Sequence, residues 1–488
     1  MKLGLEHSYA ALPARFFAEV APTPVANPQL LVYNQPLASF LNLDAALPDH
    51  AAQLLSGNAL PEDAHPIAMA YAGHQYAHFV PQLGDGRAIL LGERRGADGR
   101  LYDLQLKGSG RTPFSRAGDG RAAVGPMLRE YLISEAMHAL RVPTTRSLAV
   151  VATGEPVRRE GMLPGAVLTR MAASHLRVGT FQYFAVRGDE EALRILLGYA
   201  ISRHAPALAA TADPALAFLK QVSDSQASLL AQWLSVGFIH GVMNTDNMAL
   251  SGETIDYGPC AFMDEYDPQT VFSSIDHRGR YAYSNQPSIA QWNLARFAET
   301  LLPLIGSGQD EAIRKATAIV NGFSAEFEAQ YQDRMRAKLG LSSIRESNAA
   351  LLGRLLTLMQ LARADFTLVF HHLAEAALGA EHEGALRALF SDPQPLDDWL
   401  RDWRERLQSE GLSPADRHAA MRRTNPAFIP RNHLVDAALV AASDRGDTAP
   451  FLALLAVIQR PFDRHPEHAS WMHPPREDQR VLATFCGT

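Results

Sequence analysis

The sequence predicts an α+β fold of two lobes, strand-rich and then helical, with an N-terminal extension and a large C-terminal helical region. Three observations predict it. Short strand-like runs separated by Gly-Asp turn signals crowd residues 76–180. Apolar residues at helical spacing dominate from about residue 181 onward. A polar loop at 240–258 interrupts those helices. The expected units are 1–75, a Pro-rich and irregular extension packing on the core; 76–180, the strand-rich lobe; 181–290, a helical lobe carrying the loop; and 291–488, further helices.

The strand-rich lobe begins with Gly84-Asp85-Gly86-Arg87, which precedes a strand over Ala88 to Glu93. Ala97-Asp98-Gly99 is a turn signal. Leu101 to Lys107 is the second strand of the hairpin and ends in strict alternation, leaving Lys107 at its end. A helix follows over Pro126 to Leu140 and carries Glu130 and Glu135. Either carboxylate could pair with Lys107, and periodicity does not choose between them. Residues 108–121 lie between strand and helix, with several glycines and Arg111, Arg116 and Arg121. Open backbone amides and forked guanidinium donors suit a polyphosphate. Arg170, at the end of a strand from Ala166 to Thr169, and Arg177 add two cations.

In the helical lobe, Gln221 to Phe238 reads as a long helix. It leads into His240-Gly241-Val242-Met243-Asn244-Thr245-Asp246-Asn247, which has the frame of the protein-kinase loop H-R-D-x-x-x-x-N. The position of the kinase base holds Val242, which accepts no proton. Asp246 stands beside Asn247 instead. Met248-Ala249-Leu250 and Thr254-Ile255-Asp256 read as two short strands around Ser251-Gly252. That turn would set Asn247 opposite Asp256, about 4.5–5.5 Å apart at Cα. An amide oxygen and a carboxylate so placed suit a divalent cation shared with phosphates. A turn at Gly252-Glu253 would slip this register and put Asp256-Tyr257-Gly258 where kinases carry D-F-G. Plain turn chemistry also accounts for an Asn-Asp pair. The order of the parts, Gly-rich turn, strand Lys, helix Glu and then loop, points to a protein-kinase-like bilobal fold.

On these motifs, together with Pro143-Thr144-Thr145-Arg146 and the run Asn425 to His433, the chain resembles the selenoprotein O family over essentially its whole length. These are pseudokinase-like protein adenylyltransferases. The resemblance implies ATP bound in a flipped orientation, its γ-phosphate buried and its α-phosphate presented for attack. AMP would pass to Ser, Thr or Tyr hydroxyls of protein substrates; UMP transfer from UTP with Mn²⁺ is associated with bacterial members. It implies nucleotide contacts by Gly84, Gly86, Arg87, Lys107, Asp119, Gly120, Arg170, Arg177 and Asp256. It also implies pairing of Glu130 with Lys107, Mg²⁺ or Mn²⁺ on Asn247 and Asp256, and Asp246 as proton acceptor. A moved base is what a moved reaction centre needs.

Composition excludes other classes. A net charge of −7 gives no overall attraction to nucleic acid or acidic lipid. Apolar runs stay well under the roughly 18 residues of a membrane span. The N-terminus lacks a secretory pattern, so a cytoplasmic protein is expected. The pairs His74/His78 and His371-His372 have no cysteine cluster beside them, so they read as ordinary histidines. Cys260 lies four residues after Asp256, and Cys486 is third from the C-terminus, where eukaryotic relatives carry selenocysteine. Two such thiols read as a regulatory redox pair or as bystanders. Two other functions fit parts of the pattern: a nucleotide-binding protein without activity, against which Asp246, Asn247 and Asp256 speak, and a small-molecule kinase, against which Val242 speaks.

Overall fold

The computed structural model describes the chain except residues 44, 46, 307, 346 and 486–488. Its strands are β1 Phe17–Glu19, β2 Gln29–Tyr33, β3 Ile67–Met69, β4 Gly73–Gln75, β5 His78–Val80, β6 Ala88–Arg95, β7 Leu101–Lys107, β8 Ala122–Ala123, β9 Arg146–Arg158, β10 Met162–Ala172, β11 Phe238–Ile239 and β12 Ala261–Phe262. An eight-stranded sheet runs β1-β3-β6-β7-β10-β9-β2, with β8 added on β10. The fold is α+β, a strand-rich sheet followed by a helical region. Among the described residues no helix is long and apolar enough to cross a membrane.

One expectation is corrected at the N-terminus. Residues 1–75 are not an irregular lead-in: they supply both edge strands of the main sheet, β1 and β2, and β3 beside β1. Their partners are remote in sequence, Gln29 lying opposite Ala152 for example. The prolines fall outside these strands, where no ladder hydrogen bond is needed. Ser8 and Tyr9 also tie the terminus to the sheet by donating their backbone N–H groups to the buried Glu93 carboxylate, at 2.8 and 2.9 Å.

The helix Val124–Ala139 lies against β9 and β10 and is buried on most of its circumference. Its other side is covered by the helices Asn432–Arg445 and Ala449–Ile458 from the C-terminal region. Tyr131 meets Phe451 edge-on, with ring centroids 6.1 Å apart. The C-terminal region thus braces the helix that carries Glu130. In the second half, the helix Pro214–Ser235 starts at Asp213, whose carboxylate caps Leu216 N–H at 3.0 Å, with Pro214 in the first turn. It packs on Gln286–Leu301 and Gln309–Lys338 and delivers the chain into β11. The apolar stretch Leu351 to Leu373 is divided between two helices, Ser347–Ala362 and Phe366–Ala376. Asp365 caps the second by accepting from Leu368 N–H at 2.8 Å.

The expected hairpin at 248–256 is also corrected. Met248–Leu250 and Thr254–Asp256 do not pair with each other. The first piece joins residues 176–178, Leu250 N–H donating to Leu176 O at 3.0 Å and Val178 N–H to Met248 O at 3.1 Å. The second joins residues 143–145, through Thr254 N–H to Pro143 O at 2.9 Å and Thr145 N–H to Thr254 O at 3.0 Å. Antiparallel pairing occurs further out, where β11 meets β12 with Phe238 opposite Phe262. Everything from His240 to Cys260 is therefore one excursion between two short paired strands.

Candidate active site

A cavity of about 750 Å³ lies between the sheet and the helical region, a size common for small-ligand sites. Gly84, Gly86, Arg87, Lys107, Asp119, Gly120, Glu130, Arg170, Arg177, Asp246, Asn247 and Asp256 all line it, as does Val242. The residues singled out from sequence for nucleotide, metal and proton transfer thus share one cavity.

β7 explains the buried end. The polar members of its alternation, Asp103, Gln105 and Lys107, are buried, so this face meets the rest of the protein and not water. Asp103 accepts from Arg203 and His175 at 2.9 and 3.0 Å. Gln105 accepts from Arg170 Nη2 at 2.8 Å and donates to Asp85 at 3.0 Å. Lys107 Nζ donates to Glu130 Oε2 at 2.6 Å and to Asp256 Oδ1 at 2.8 Å. Glu135 is engaged elsewhere, held by both arms of Arg146 at 2.6 and 2.7 Å.

Three cations converge on Asp256. Arg170 Nη1 reaches its Oδ1 at 2.6 Å, and Arg177 Nη1 reaches its Oδ2 at 3.0 Å. Burial works to raise the Asp256 carboxyl, but Lys107, Arg170 and Arg177 outweigh it and hold it well below the usual carboxylate range. Its φ of +62° is left-handed, a conformation that Asp tolerates better than most residues. The arginines are not saturated: Nε of both Arg170 and Arg177 is buried without a hydrogen-bond partner among the described residues. Such cations suit anionic oxygen atoms.

The Gly-rich segments form the rest of the wall. Gly84 has φ +85°, and a Cβ there would stand 2.4 Å from the Phe114 ring. Gly120 has φ +71°, and a Cβ there would meet Gly110 O at 2.1 Å. Only glycine fits either place. Arg87 is half-buried on the same wall. Asp119 sits nearer solvent, paired with Arg159 at 2.9 Å.

The loop after β11 is fixed by His240. Its ring stacks on Trp233 at 5.4 Å. Nδ1 accepts from Val242 N–H at 3.3 Å, and Nε2 therefore carries the proton donated to Ile255 O at 2.8 Å. Burial favours this neutral form. The loop and the segment bearing Asp256 are tied together by this one side chain. Asp246 follows in a 3-10 turn, Thr245–Asn247. Burial lifts its carboxyl to about 6 against the pull of Arg177. A carboxylate so placed accepts a proton near neutral pH. Asn247 donates from its amide nitrogen to Val242 O at 3.0 Å, which leaves its amide oxygen as a ligand atom.

Among the described residues no group of three or more His, Cys, Asp or Glu is arranged to hold a metal by itself. Asn247 and Asp256 fit a different kind of site. Magnesium commonly takes one or two side-chain oxygens and completes its shell with phosphate and water.

Two contributors were missed from sequence. Asp85 is buried with Arg177 3.9 Å away, and burial raises its carboxyl to about 6. Gln105 bridges it to Arg170. The alternation of β7 carried the signal for Gln105, which shares a face with Lys107. Cys260 is buried, and burial pushes its thiol up to about 11. Cys486 lies outside the described residues. The tail just before it is docked: Thr484 N–H donates to Phe272 O at 2.7 Å, and its hydroxyl to Pro259 O at 2.6 Å.

Comparison with known proteins identifies the family. The family described as "Protein adenylyltransferase SelO" matches residues 1–459. A protein from Rhizobium meliloti (strain 1021) named "Protein nucleotidyltransferase YdiU" is 58% identical over 484 residues, 99% of each chain. Its namesake from Bradyrhizobium sp. (strain BTAi1) is 59% identical over 485 residues, again 99% of each. That from Rhodopseudomonas palustris (strain BisB5) is 57% identical over 485 residues with the same coverage. The chain therefore belongs to the protein adenylyltransferase SelO family of nucleotidyltransferases.

Proposed function

We propose that this protein transfers AMP from ATP to Ser, Thr or Tyr hydroxyl groups of protein substrates, on a kinase-like fold that holds the nucleotide with its β- and γ-phosphates at the buried end. The observation that carries the reading is the division of the cavity. Lys107, Arg170 and Arg177 are buried together around Asp256, whereas the kinase base position is Val242 and a carboxylate stands instead at Asp246. In this reading the acceptor oxygen attacks the α-phosphorus and its proton passes to Asp246. The bond from the α-phosphorus to the bridging oxygen breaks, and pyrophosphate leaves with its charge on the three cations. Preorganised cations of this kind stabilise charge that develops in the transition state. Gly84, Gly86, Arg87, Asp119 and Gly120 shape the wall along the nucleotide.

Asn247 and Asp256 would hold the metal ion, Mg²⁺ or Mn²⁺, which when bound neutralises phosphate charge. Phosphate oxygens would draw the cations from Asp256 and free its carboxylate for that ion. A second reading of the same chemistry, UMP transfer from UTP, falls within the relatives' broader name of nucleotidyltransferase.

Asp246→Asn keeps the size and removes the basicity. It should lower turnover about 10²–10⁴-fold with ATP affinity kept. Normal turnover in that variant would show that Asp246 is not the proton acceptor.

We also propose that Cys260 and Cys486 are a redox pair. Thr484 bonds to the carbonyl of Pro259, next to Cys260, which brings the tail to this segment. Two thiols would lose two electrons and two protons to a disulfide or peroxide oxidant. The closed bond would restrict protein access and spare ATP binding. Reductant should then raise protein labelling, as should Cys486→Ser; labelling indifferent to both would make the thiols bystanders.

A further inference from the structure

The pair β4–β5 stands outside the main sheet and packs on the helix Val178–Ala185 and on the turn that carries Asp246. Its register, Gly73 opposite Val80 and Gln75 opposite His78, leaves a two-residue turn at Tyr76-Ala77. Both turn residues have positive φ, +49° and +67°. Such turns favour Asn-Gly, and Tyr-Ala is strained there. Strain of this kind persists where surrounding contacts over-determine the backbone.

Those contacts can be named. His74 N–H donates to Thr245 Oγ at 2.7 Å, and Thr245 Oγ–H donates to Gln182 Oε1 at 2.7 Å. The Gln182 amide nitrogen donates to His74 Nδ1 at 2.8 Å. All three donors and acceptors agree in a closed ring. Tyr76 N–H donates to Asn244 Oδ1 at 3.0 Å, and that oxygen also accepts from Tyr281 at 2.8 Å. The hairpin is thereby fastened to residues 244 and 245, on the N-terminal side of Asp246.

One side chain of the hairpin reaches Asp246 itself. Gln75 Nε2 donates to its Oδ2 at 3.2 Å. Its Oδ1 is buried and has no hydrogen-bond partner among the described residues. Gly73 makes the room beside that oxygen, because a Cβ there would lie 2.9 Å from it. Gln75 and Asp246 both line the cavity.

We propose that Gln75 is a positioning residue: held by the strained hairpin, its amide fixes the Asp246 carboxylate through Oδ2 at the cavity wall, in the orientation from which it takes the proton of the acceptor hydroxyl. This rests on the reading of Asp246 as proton acceptor. It adds an element from the N-terminal part of the chain to the acceptor side of the site.

The test is a double-mutant cycle on the full chain, measuring protein labelling and ATP affinity for Gln75→Leu, Asp246→Asn and the two combined. A hydrogen bond to a charged group predicts about a 10- to 100-fold fall in kcat for Gln75→Leu, with the ATP Kd unchanged. In the Asp246→Asn background the same change should cost nothing further, whereas a merely structural role would cost the same in both. Equal losses in both backgrounds overturn the proposal. So does wild-type kcat in Gln75→Leu while Asp246→Asn is impaired. Wild-type kcat in Asp246→Asn instead overturns the base assignment, and the proposal with it. If Gln75→Leu also loses ATP binding, the isosteric Gln75→Glu repeats the cycle. ATP binding lost in both variants would show that Gln75 serves the fold alone, and overturn the proposal.

Discussion

The buried charges around Asp256 and those around Arg431 are built from the same materials, and they differ in what is left over. Arg431 is fully buried. Nη1 donates to Asp264 and to Asp365, both at 2.6 Å, Nη2 to Asp365 at 3.1 Å and to Met472 O at 2.6 Å, and Nε to Met472 O at 3.1 Å. Each nitrogen is used, and the residue lines none of the main cavity. Around Asp256, in contrast, the cations open onto that cavity and keep buried N–H groups unused. Buried charge alone therefore does not mark a site in this protein. What separates the Asp256 group is that its cations also line the cavity. The Arg431 cluster fastens the segment after Asp256 to the C-terminal helices, and Asn432 adds to it by donating to Phe262 O at 2.9 Å.

The sharpest way to break this contrast is at Asp256. Asp256→Ala should reduce transfer to background and greatly weaken metal-dependent nucleotide binding; wild-type turnover would remove Asp256 from the site. Nucleotide length probes the unspent cations next. AMP lacks the phosphates assigned to Lys107, Arg170 and Arg177, and each lost charge-assisted bond costs about 1.5–3 kcal/mol. Calorimetric titration should find AMP weaker than ATP by about 4 kcal/mol or more, and equal affinities would contradict the assignment.

The closed cluster should behave in the opposite way. Arg431→Met leaves Asp264 and Asp365 buried without their partner, at a cost of about 3–5 kcal/mol in stability. Denaturant unfolding should show that loss, while the ATP affinity of the folded variant stays at the wild-type value. A selective loss of ATP affinity would place Arg431 with the site.

The smallest effect is at Lys338, a third kind of buried charge. It lies over the rings of Phe366 and Phe370, 5.7 and 4.5 Å from their centroids. Burial lowers its ammonium to about 7. The unfolded chain then holds a proton that the folded chain has lost between about pH 7 and the ordinary lysine value, so stability rises with pH across that window. Below it both states are protonated and the full penalty remains. Lys338→Met should stabilise the protein at pH 7 by on the order of 2 kcal/mol, after the lost cation–π contact is allowed for, and flatten the rise. Thermal unfolding from pH 7 to 10 measures both.

How far the site was legible in the sequence follows from the distance between partners. Lys107 could be placed because alternation along seven residues is local. The choice between Glu130 and Glu135 could not be made from periodicity, because the helix is buried nearly all round and both carboxylates are inside. Only the fold shows that Arg146 takes Glu135. The chain does turn here, but one position earlier than its local chemistry indicates, at Leu250-Ser251, where Gly252 N–H donates to Ala249 O at 3.3 Å, and the extended pieces beside it find partners at 143–145 and 176–178, which no local pattern reveals. The N-terminal strands were lost for the same reason, since β2 pairs with β9 more than a hundred residues away. Gln75 was hidden differently. The His74/His78 spacing around it is local, whereas its contact is with a carboxylate 171 positions on.

The central claim is that the cavity directs the α-phosphorus, and not the γ-phosphorus, to a protein hydroxyl. Its most direct test is incubation of the protein and a mixture of acceptor proteins with ATP labelled separately at the α- and γ-phosphates, with Mg²⁺ or Mn²⁺. The account predicts α label bound covalently to protein and γ label released as pyrophosphate. Label from the γ position on protein or on a small molecule, with none from the α position, would contradict it.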